Sequence, residues 1–516
     1  MENIRTKNAL RNMAFGALNR IVSIFFPFIV RTIFIKSIGE EYLGLNTLYS
    51  SILQVLNLMD LGFANAIIAS MYKPIADKDT ERICALTKLY RDIYKVIGIA
   101  ILIVGLVITP YVEYFIKGTP PDKINIHILW LFYLVNTVVS YLLFAYKVSL
   151  LNAHQRNDIT EKIGALTRVI ISIAQIYVVA VLKNIYFYVG LTILCSIIYN
   201  LWCSYACDKL FPQYICKGTI DKDTKTNIIK NISALTVQKI GNTISLSLDS
   251  IIISAYLGLT TVAIYGNYYY VISAISAFLS LIYSAITATI GNSIAVETRN
   301  KNYIDLKKIF FLNTWIIGWC SICFMCLFQD FMVVWMGENL LFSISTVFTL
   351  VLRFFFEQLR KVVLTYKDAA GMWWYDKWKP LVGCTVNLIL NIICVKTIGV
   401  SGVAISTIIS YIFVEIPWET HVLFKNYFIQ SEIEYYKELM ISVVGLFGVG
   451  MLTYLICEGI LMHGIMGITV KLGICIVFPN ILYFAINTKN SFFLLGRDLI
   501  FKILNIILQT IKSIKN

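Results

Sequence analysis

Long apolar segments follow one another along almost the whole chain and are separated by short polar connections. Each segment is close to the roughly 20 residues that an α-helix needs to cross a bilayer. The pattern therefore predicts an all-α integral membrane protein with about fourteen transmembrane helices. Their approximate ranges are 13–35, 44–71, 93–115, 127–147, 162–182, 185–206, 231–257, 264–294, 309–335, 342–366, 380–398, 402–424, 438–459 and 466–486.

The composition excludes a water-soluble globular protein. Of the 516 residues, 58% are hydrophobic and 14% are charged, whereas an average soluble domain has about 25% charged residues. The 12 cysteines lie mostly inside apolar segments and are interpreted as free thiols rather than a disulfide framework. The first segment carries charges and no A-x-A cleavage site, so we expect a retained span rather than a signal peptide.

The net charge of +14 reports membrane topology rather than nucleic-acid binding. If the amino terminus is cytoplasmic, most lysines and arginines outside the spans fall on the inner side. This predicts a multi-pass protein with both termini in the cytoplasm. The connections are too short to fold into a catalytic domain, and the chain has no G-x-x-x-x-G-K-[S/T] phosphate-binding loop. We therefore expect no enzymatic activity.

A glycine-containing turn recurs between an odd-numbered span and the next one, at 37–46, 256–266 and 397–406. The recurrence predicts helical hairpins multiplied by duplication, with two six-helix halves and a C-terminal helix pair. The predicted parts are an N-lobe at 1–206, a basic cytoplasmic linker at 207–230, a C-lobe at 231–425, the last two spans at 426–487, and an amphipathic helix on the cytoplasmic interface at 488–516.

Charged residues inside apolar spans are functional candidates, because a charge near the bilayer centre costs about 2.5–3.5 kcal/mol. Arg20 and Arg31 lie eleven residues apart on the first span, which places them within about 20° of each other on a helix. Both are predicted to face one cavity. For Arg20, snorkelling to the inner headgroups is an equally good interpretation, whereas Pro27 and Thr32 favour the cavity for Arg31.

Further charges are predicted to point inward, and basic groups outnumber the acids that could neutralise them. Arg168 and Lys239 have no local partner, so each requires an interhelical acid such as Asp60 or Asp249, or an anionic ligand. Glu357 shares a helix face with Arg353 and Arg360 and is expected to pair within its helix. The other inward charge is Glu415.

Two polar patterns have both a structural and a chemical interpretation. The eighth span carries a hydroxyl stripe that includes Ser276, Ser280 and Ser284. The stripe could hydrogen-bond a sugar, although close helix packing is the favoured interpretation. Cys320, Cys323 and Cys326 form a C-x-x-C-x-x-C pattern inside an apolar span, without a fourth ligand nearby in the sequence. No metal site is predicted there.

The chain resembles the bacterial flippases of O-antigen and capsular-polysaccharide repeat units, which belong to the superfamily of multidrug antiporters and lipid II flippases. The resemblance rests on RTIFIKSIGEEYLGLNTLYSSILQVLNLMDLGFANAII at 31–68 and KIGNTISLSLDSIII at 239–253. The matching features are Arg31, the Gly39/Gly44 turn, and the D-x-G of Asp60 to Gly62. The architecture matches over the full chain.

The resemblance implies a multi-pass flippase of the bacterial cytoplasmic (inner) membrane. It would move undecaprenyl-diphosphate-linked oligosaccharide repeat units from the cytoplasmic to the outer leaflet by alternating access, for surface polysaccharide export. Membrane lipids, a polysaccharide polymerase and chain-length machinery are the implied partners; no nucleic acid and no cofactor is expected beyond coupling to protons or sodium. A diphosphate would supply the anion that the basic residues need. The candidate substrate-binding residues are Arg20, Arg31, Arg168, Lys239, Arg353, Ser276, Ser280 and Ser284, and the candidate ion-coupling residues are Asp60 and Asp249.

Three other functions compete with this one. A peptidoglycan lipid II-type flippase handles the same lipid diphosphate. An ion-coupled multidrug antiporter of the same superfamily would need an acidic, aromatic cavity for cationic substrates, and the predicted cavity is basic. A membrane glycosyltransferase or repeat-unit polymerase would present catalytic residues in a sizeable loop, and the short outer turns argue against it.

Overall fold

Every regular element that the structure describes is an α-, 3₁₀- or π-helix, which confirms the all-α membrane fold class. The computed structural model describes residues 2–57, 63–118, 120–121, 124–220, 247–488 and 494. The chain divides into two compact units, an N-terminal unit of residues 1–267 and a C-terminal unit of residues 268–516.

The N-terminal unit consists of α-helices with a 3₁₀ segment after the fourth and a π-helical segment after the seventh. Helix α1 packs along α7, and α5 packs against α4 and α8. The described helices are α1 (Glu2–Ser37), α2 (Glu40–Leu56), α3 (Phe63–Asp77), α4 (Thr80–Ile108), α5 (Ile126–Leu142), α6 (Ala145–Ala153), α7 (Asn157–Tyr177), α8 (Ile185–Leu210), α9 (Ser247–Leu257) and the first residues of α10 (Leu259–Val296).

The C-terminal unit contains the rest of α10 and is built around a 38-residue helix, α11 (Arg299–Met336). Helix α11 packs against α12, α16 and α17, and α12 packs against α14. The remaining helices are α12 (Ile344–Leu359), α13 (Lys361–Ala369), α14 (Lys379–Ser410), α15 (Ile416–Leu423), α16 (Ile433–Glu458) and α17 (Gly464–Asn487).

Nine described helical stretches are long and apolar enough to cross a membrane, or ten if the bent pair α5–α6 counts as one span. The predicted number of fourteen is not confirmed. The predicted tenth span is divided into two helices, α12 and α13. Of the predicted second span, the structure describes α2 and the part of α3 that begins at Phe63. The predicted eleventh and twelfth spans form one stretch, Lys379–Phe428, that is broken at Ile398 and Gly399. Of the predicted seventh span, the structure describes only 247–257.

The three predicted glycine turns are confirmed. Gly39, Gly258 and Gly399 have φ angles of 119°, 95° and 62°, a region that glycine adopts without the steric cost that a Cβ would add. The first two turns separate α1 from α2 and α9 from α10, and the third interrupts α14 with non-helical backbone at Ile398 and Gly399. The division into an N-lobe at 1–206, a linker at 207–230 and a C-lobe at 231–425 stays a prediction, as does the duplication. The predicted helix at 488–516 lies almost entirely outside the described residues.

The crossing of α2 with the start of α10 depends on a glycine. A Cβ added at Gly44 would overlap the backbone carbonyl of Leu259. We expect Gly44→Ala to force the two helices apart and to lower the free energy of unfolding by about 1–3 kcal/mol. Gly190→Ala on α8 is the matched control, because nothing lies within 4 Å of the added Cβ. Thermal unfolding in detergent would measure the stabilities of the two purified variants. Equal stabilities of Gly44→Ala and Gly190→Ala would contradict the role of Gly44 in helix packing.

Candidate functional site

Arg31 lies inside the N-terminal unit at a half-buried position of α1. Its Nε donates a hydrogen bond to Oδ1 of Asn267 at 2.5 Å, and Asn267 is itself buried. A Cβ at Gly266 would lie only 2.8 Å from Arg31 Nη2 and 3.3 Å from Thr47 Oγ1. The absence of a side chain at Gly266 therefore lets the guanidinium lie against α10. Arg31 faces other helices of its unit, as a cavity residue would, and its role in binding stays a prediction.

Asn267 and Tyr188 lie beside this guanidinium, and Tyr188 connects it to further aromatic side chains. Tyr188 lies close enough to Arg31 to interact with its charge, and the Tyr188 ring packs edge-on against Phe34 with centroids 5.1 Å apart. The hydroxyl of Tyr133 donates to Oδ1 of Asn46 at 2.7 Å. Sequence reasoning missed these residues, although an asparagine within an apolar span, such as Asn46, is a signal that could have been used. The arrangement offers a positive charge, hydrogen-bonding groups and rings in one region.

Arg20 and Arg168 are exposed in the structure, on α1 and α7 respectively. Arg168 lies near Tyr199 and Cys195 of α8, close enough for electrostatic interaction. Among the described residues, neither arginine has an acidic partner within ion-pair distance. Of the two acids considered for Arg168, Asp249 does not form an ion pair with it, and Asp60 lies outside the described residues. For Arg168 this leaves an anionic ligand, or a residue outside the described ranges.

Asp249 is a fully buried carboxylate on α9, and Ser247, Ser250 and Ser254 of the same helix are also buried. It belongs to the N-terminal unit together with Arg20, Arg31 and Arg168. Asp60 and Lys239 lie outside the described residues.

The other predicted site residues belong to the C-terminal unit. Arg353 is buried on α12, with its guanidinium carbon 5.6 Å from the centre of the Tyr269 ring. Ser276 accepts a hydrogen bond from Nε2 of Gln358 at 3.2 Å. The exposed hydroxyls of Ser280 and Ser284 donate to carbonyls one turn earlier on α10, at 2.8 and 2.9 Å. Ser276 therefore makes a contact between helices, whereas the hydroxyls of Ser280 and Ser284 bond to the backbone of their own helix.

A buried network of ion pairs in the C-terminal unit was only partly anticipated. Arg360 pairs with Glu415 and Glu419 rather than with Glu357, so the expected pairing within the helix is wrong for Arg360. Its Nη2 and Nε donate to the two carboxylate oxygens of Glu419 at 2.5 and 3.2 Å. Nζ of Lys379 also binds Glu419, and it lies 3.4 Å from Oδ2 of Asp376.

The network is closed by Lys367, which binds Asp376. Three cations and three carboxylates are thus buried together and balance one another in charge. A balanced set of this kind has no residual charge with which to attract an anion. We interpret it as a structural element that joins α12, α13, α14 and α15.

An apolar cavity of about 210 Å³ lies between α11, α12 and α16 in the C-terminal unit. Aliphatic and aromatic side chains form nearly all of its walls, among them Ile322, Phe348, Phe355 and Phe447. Such a lining can hold a hydrocarbon chain and offers almost nothing to a hydrated group.

The fold is that of multi-pass membrane transporters. A solved structure described as "Lipid II flippase MurJ, inward closed conformation" matches with a TM-score of 0.64 and 16% identity, over 95% of this chain and 99% of the other. An inward-facing multidrug resistance MATE family transporter of the MOP superfamily matches with a TM-score of 0.62 and 13% identity, over 80% and 98%. A MOP superfamily transporter from Pyrococcus furiosus matches with a TM-score of 0.59 and 13% identity, over 82% and 97%.

The family is shown by the sequence itself. Residues 9–290, more than half of the chain, match the family model "Polysaccharide biosynthesis protein". The chain belongs to this family, which confirms the resemblance found in the sequence. None of the curated proteins matches the chain.

Proposed function

We propose that this protein is a flippase that moves undecaprenyl-diphosphate-linked oligosaccharide repeat units from the cytoplasmic to the outer leaflet, for surface polysaccharide export. Membership in the polysaccharide biosynthesis family supports a glycan as cargo. The transporter fold supports movement by alternating access rather than enzymatic conversion. The observation that carries the proposal is Arg168, an arginine in an apolar helix without an acidic partner among the described residues.

A diphosphate has the chemistry that these arginines require. The guanidinium group presents fixed donors that match phosphate oxygens, and charge-assisted hydrogen bonds are stronger than neutral ones. Arg31 is oriented by its bond to Asn267, so less conformational entropy is lost when it binds an anion. We assign Arg31 and Arg168 to the diphosphate, and the hydroxyl and aromatic groups near Arg31 to the adjoining sugars.

The polyprenyl chain needs a separate, apolar environment. The cavity between α11, α12 and α16 supports this part of the proposal, because its walls are almost entirely hydrocarbon. A carrier for a lipid-linked glycan must combine such a surface with a polar, basic one. The chain offers both types of surface.

The membrane potential would contribute to transport. Moving about two negative charges outward across an inside-negative membrane is favoured by roughly 4–5 kcal/mol per 100 mV if no countercharge accompanies them. We place the protein in the cytoplasmic membrane with both termini inside. An ion gradient that resets the empty carrier would act through Asp249 or Asp60.

Binding experiments test the role of Arg168. We expect Arg168→Gln to weaken the binding of undecaprenyl diphosphate by about 10- to 100-fold, the equivalent of roughly 1.5–3 kcal/mol for a hydrogen bond to a charged group. Native mass spectrometry of the purified protein with this lipid would give the affinities. Lys162→Gln is the matched control, because Lys162 is an exposed basic residue of the same helix. Equal affinities of the wild type and Arg168→Gln would contradict the assignment.

A lipid II-type flippase is the second candidate. The fold similarity to MurJ extends over 95% of this chain and supports it. Both functions use the same lipid diphosphate and differ in the attached glycan. Comparing the binding of lipid II with that of a lipid-linked polysaccharide repeat unit would distinguish them.

A further inference from the structure

Three cysteine side chains converge inside the C-terminal unit. Cys326, Cys457 and Cys475 come from α11, α16 and α17, and their Sγ atoms all lie within 4.8 Å of one another. All three residues are buried, with 7%, 1% and 0% exposure. Since each belongs to a different helix, the convergence results from tertiary packing and not from helical periodicity.

A fourth thiol lies beside these three. Cys323 is one turn before Cys326 on α11, packs against the same cluster, and interacts through its side chain with Cys475. The sequence pattern C-x-x-C-x-x-C lacks a further ligand nearby in the chain. The fold supplies two, Cys457 and Cys475, from helices more than a hundred residues away.

We propose that these cysteines form a binding site for a thiophilic d¹⁰ metal ion of the Zn²⁺ class. Soft thiolate ligands select such ions, and oxygen-preferring ions such as Mg²⁺ are disfavoured. A point exists within about 2.8 Å of all three sulfur atoms, and a zinc–sulfur bond is about 2.3 Å long. Shifts of about half an ångström in each thiol would therefore close the site. Cys323 would supply the fourth ligand of a tetrahedron.

The surroundings favour a site that is closed to water. Ile322 and Val449 belong to the same buried cluster, and Leu327 and Ile474 pack against it. Coordination releases the thiol protons, so three or four thiolates around a divalent ion carry a net negative charge. Lys471 lies one turn before Cys475 and is close enough to act on its charge. Its ion pair with Asp330, 2.6 Å long, holds the ammonium beside the cluster.

The bound ion would fasten the last two helices to the rest of the C-terminal unit. Helices α11 and α17 are already joined by hydrogen bonds from Trp319 Nε1 to the Cys475 carbonyl at 2.8 Å and from Trp315 Nε1 to Asn480 Oδ1 at 2.7 Å. The metal would add α16 to this junction. The site is therefore structural: its ligands hold three helices in a fixed relation.

Titration of the full-length protein with Cd²⁺ tests the site. The protein, purified in detergent, reduced and stripped with a chelator, is expected to bind one Cd²⁺ per chain and to show a thiolate-to-metal charge-transfer band. Cys326→Ser and Cys475→Ser are expected to lose both signals. Cys203→Ser is the matched control, because Cys203 is a fully buried thiol of α8 that lies outside the cluster.

A measurement on the unmodified protein covers the case in which a serine variant fails to fold. X-ray absorption of the Zn²⁺-loaded wild type is expected to show a shell of three or four sulfur ligands. A shell of nitrogen and oxygen ligands, no stoichiometric binding, or an equal loss of the charge-transfer band in Cys203→Ser would each overturn the proposal.

Discussion

Replacing Arg31 by glutamine is expected to reduce export of the lipid-linked glycan by about 10- to 100-fold, because a neutral amide loses the charge-assisted bonds to the diphosphate, worth roughly 1.5–3 kcal/mol. The side chain lies inside the N-terminal unit and is oriented by Asn267. The nearest other charged residues of α1, Arg20 and Lys36, lie more than one helical turn from Arg31 and cannot replace its contacts. Surface polysaccharide on intact cells, normalised to the amount of protein in the membrane, gives the readout.

Lys36→Gln is the matched control for this experiment. Lys36 is a basic residue in the last turn of the same helix, and its side chain is exposed. The control variant is expected to export as the wild type does. If Arg31→Gln also exports normally at equal membrane abundance, Arg31 does not bind the diphosphate.

Replacing Glu419 by glutamine is expected to lower the free energy of unfolding by about 3–5 kcal/mol, the cost of leaving buried cations without their partner. Glu419 is fully buried and binds both Arg360 and Lys379. The balanced network then carries an excess positive charge in an apolar environment. Chemical denaturation of the purified protein in detergent measures the loss.

Two variants show whether the effect comes from charge balance. Glu432→Gln removes a partly exposed carboxylate 3.5 Å from the exposed His421, and is expected to change stability by less than about 1 kcal/mol. Combining Lys379→Met with Glu419→Gln removes one charge of each sign and leaves Arg360 paired with Glu415 and Lys367 with Asp376. This double variant is expected to restore much of the stability lost in Glu419→Gln. A double variant no more stable than the single one would contradict this explanation.

The sequence predicted the turns of the fold, because a turn depends on the residue at its own position. Glycines marked the turns at Gly39, Gly258 and Gly399 correctly, because a positive φ excludes most other residues. The break between α12 and α13 at Arg360 was missed, since mean hydropathy over a span does not register a change of helix direction. The two short helices together contain enough apolar residues to resemble one span.

The sequence could not predict which side chains contact one another when they lie far apart along the chain. Pro27 and Thr32 favoured a cavity position for Arg31, but its hydrogen-bond partner Asn267 lies 236 residues further along the chain. Arg360 has a nearby acid in its own helix, and the structure pairs it with Glu419, 59 residues away. No metal site was predicted at the cysteines of α11, because the further thiols near them, Cys457 and Cys475, come from other helices.

Leaflet-resolved analysis of lipid-linked oligosaccharides in cells depleted of this protein tests the proposed function most directly. Complete repeat units are expected to accumulate on undecaprenyl diphosphate and to stay inaccessible to glycan-modifying reagents added from outside. Unchanged lipid intermediates, together with altered accumulation of cationic drugs, would contradict it and would favour the multidrug antiporter.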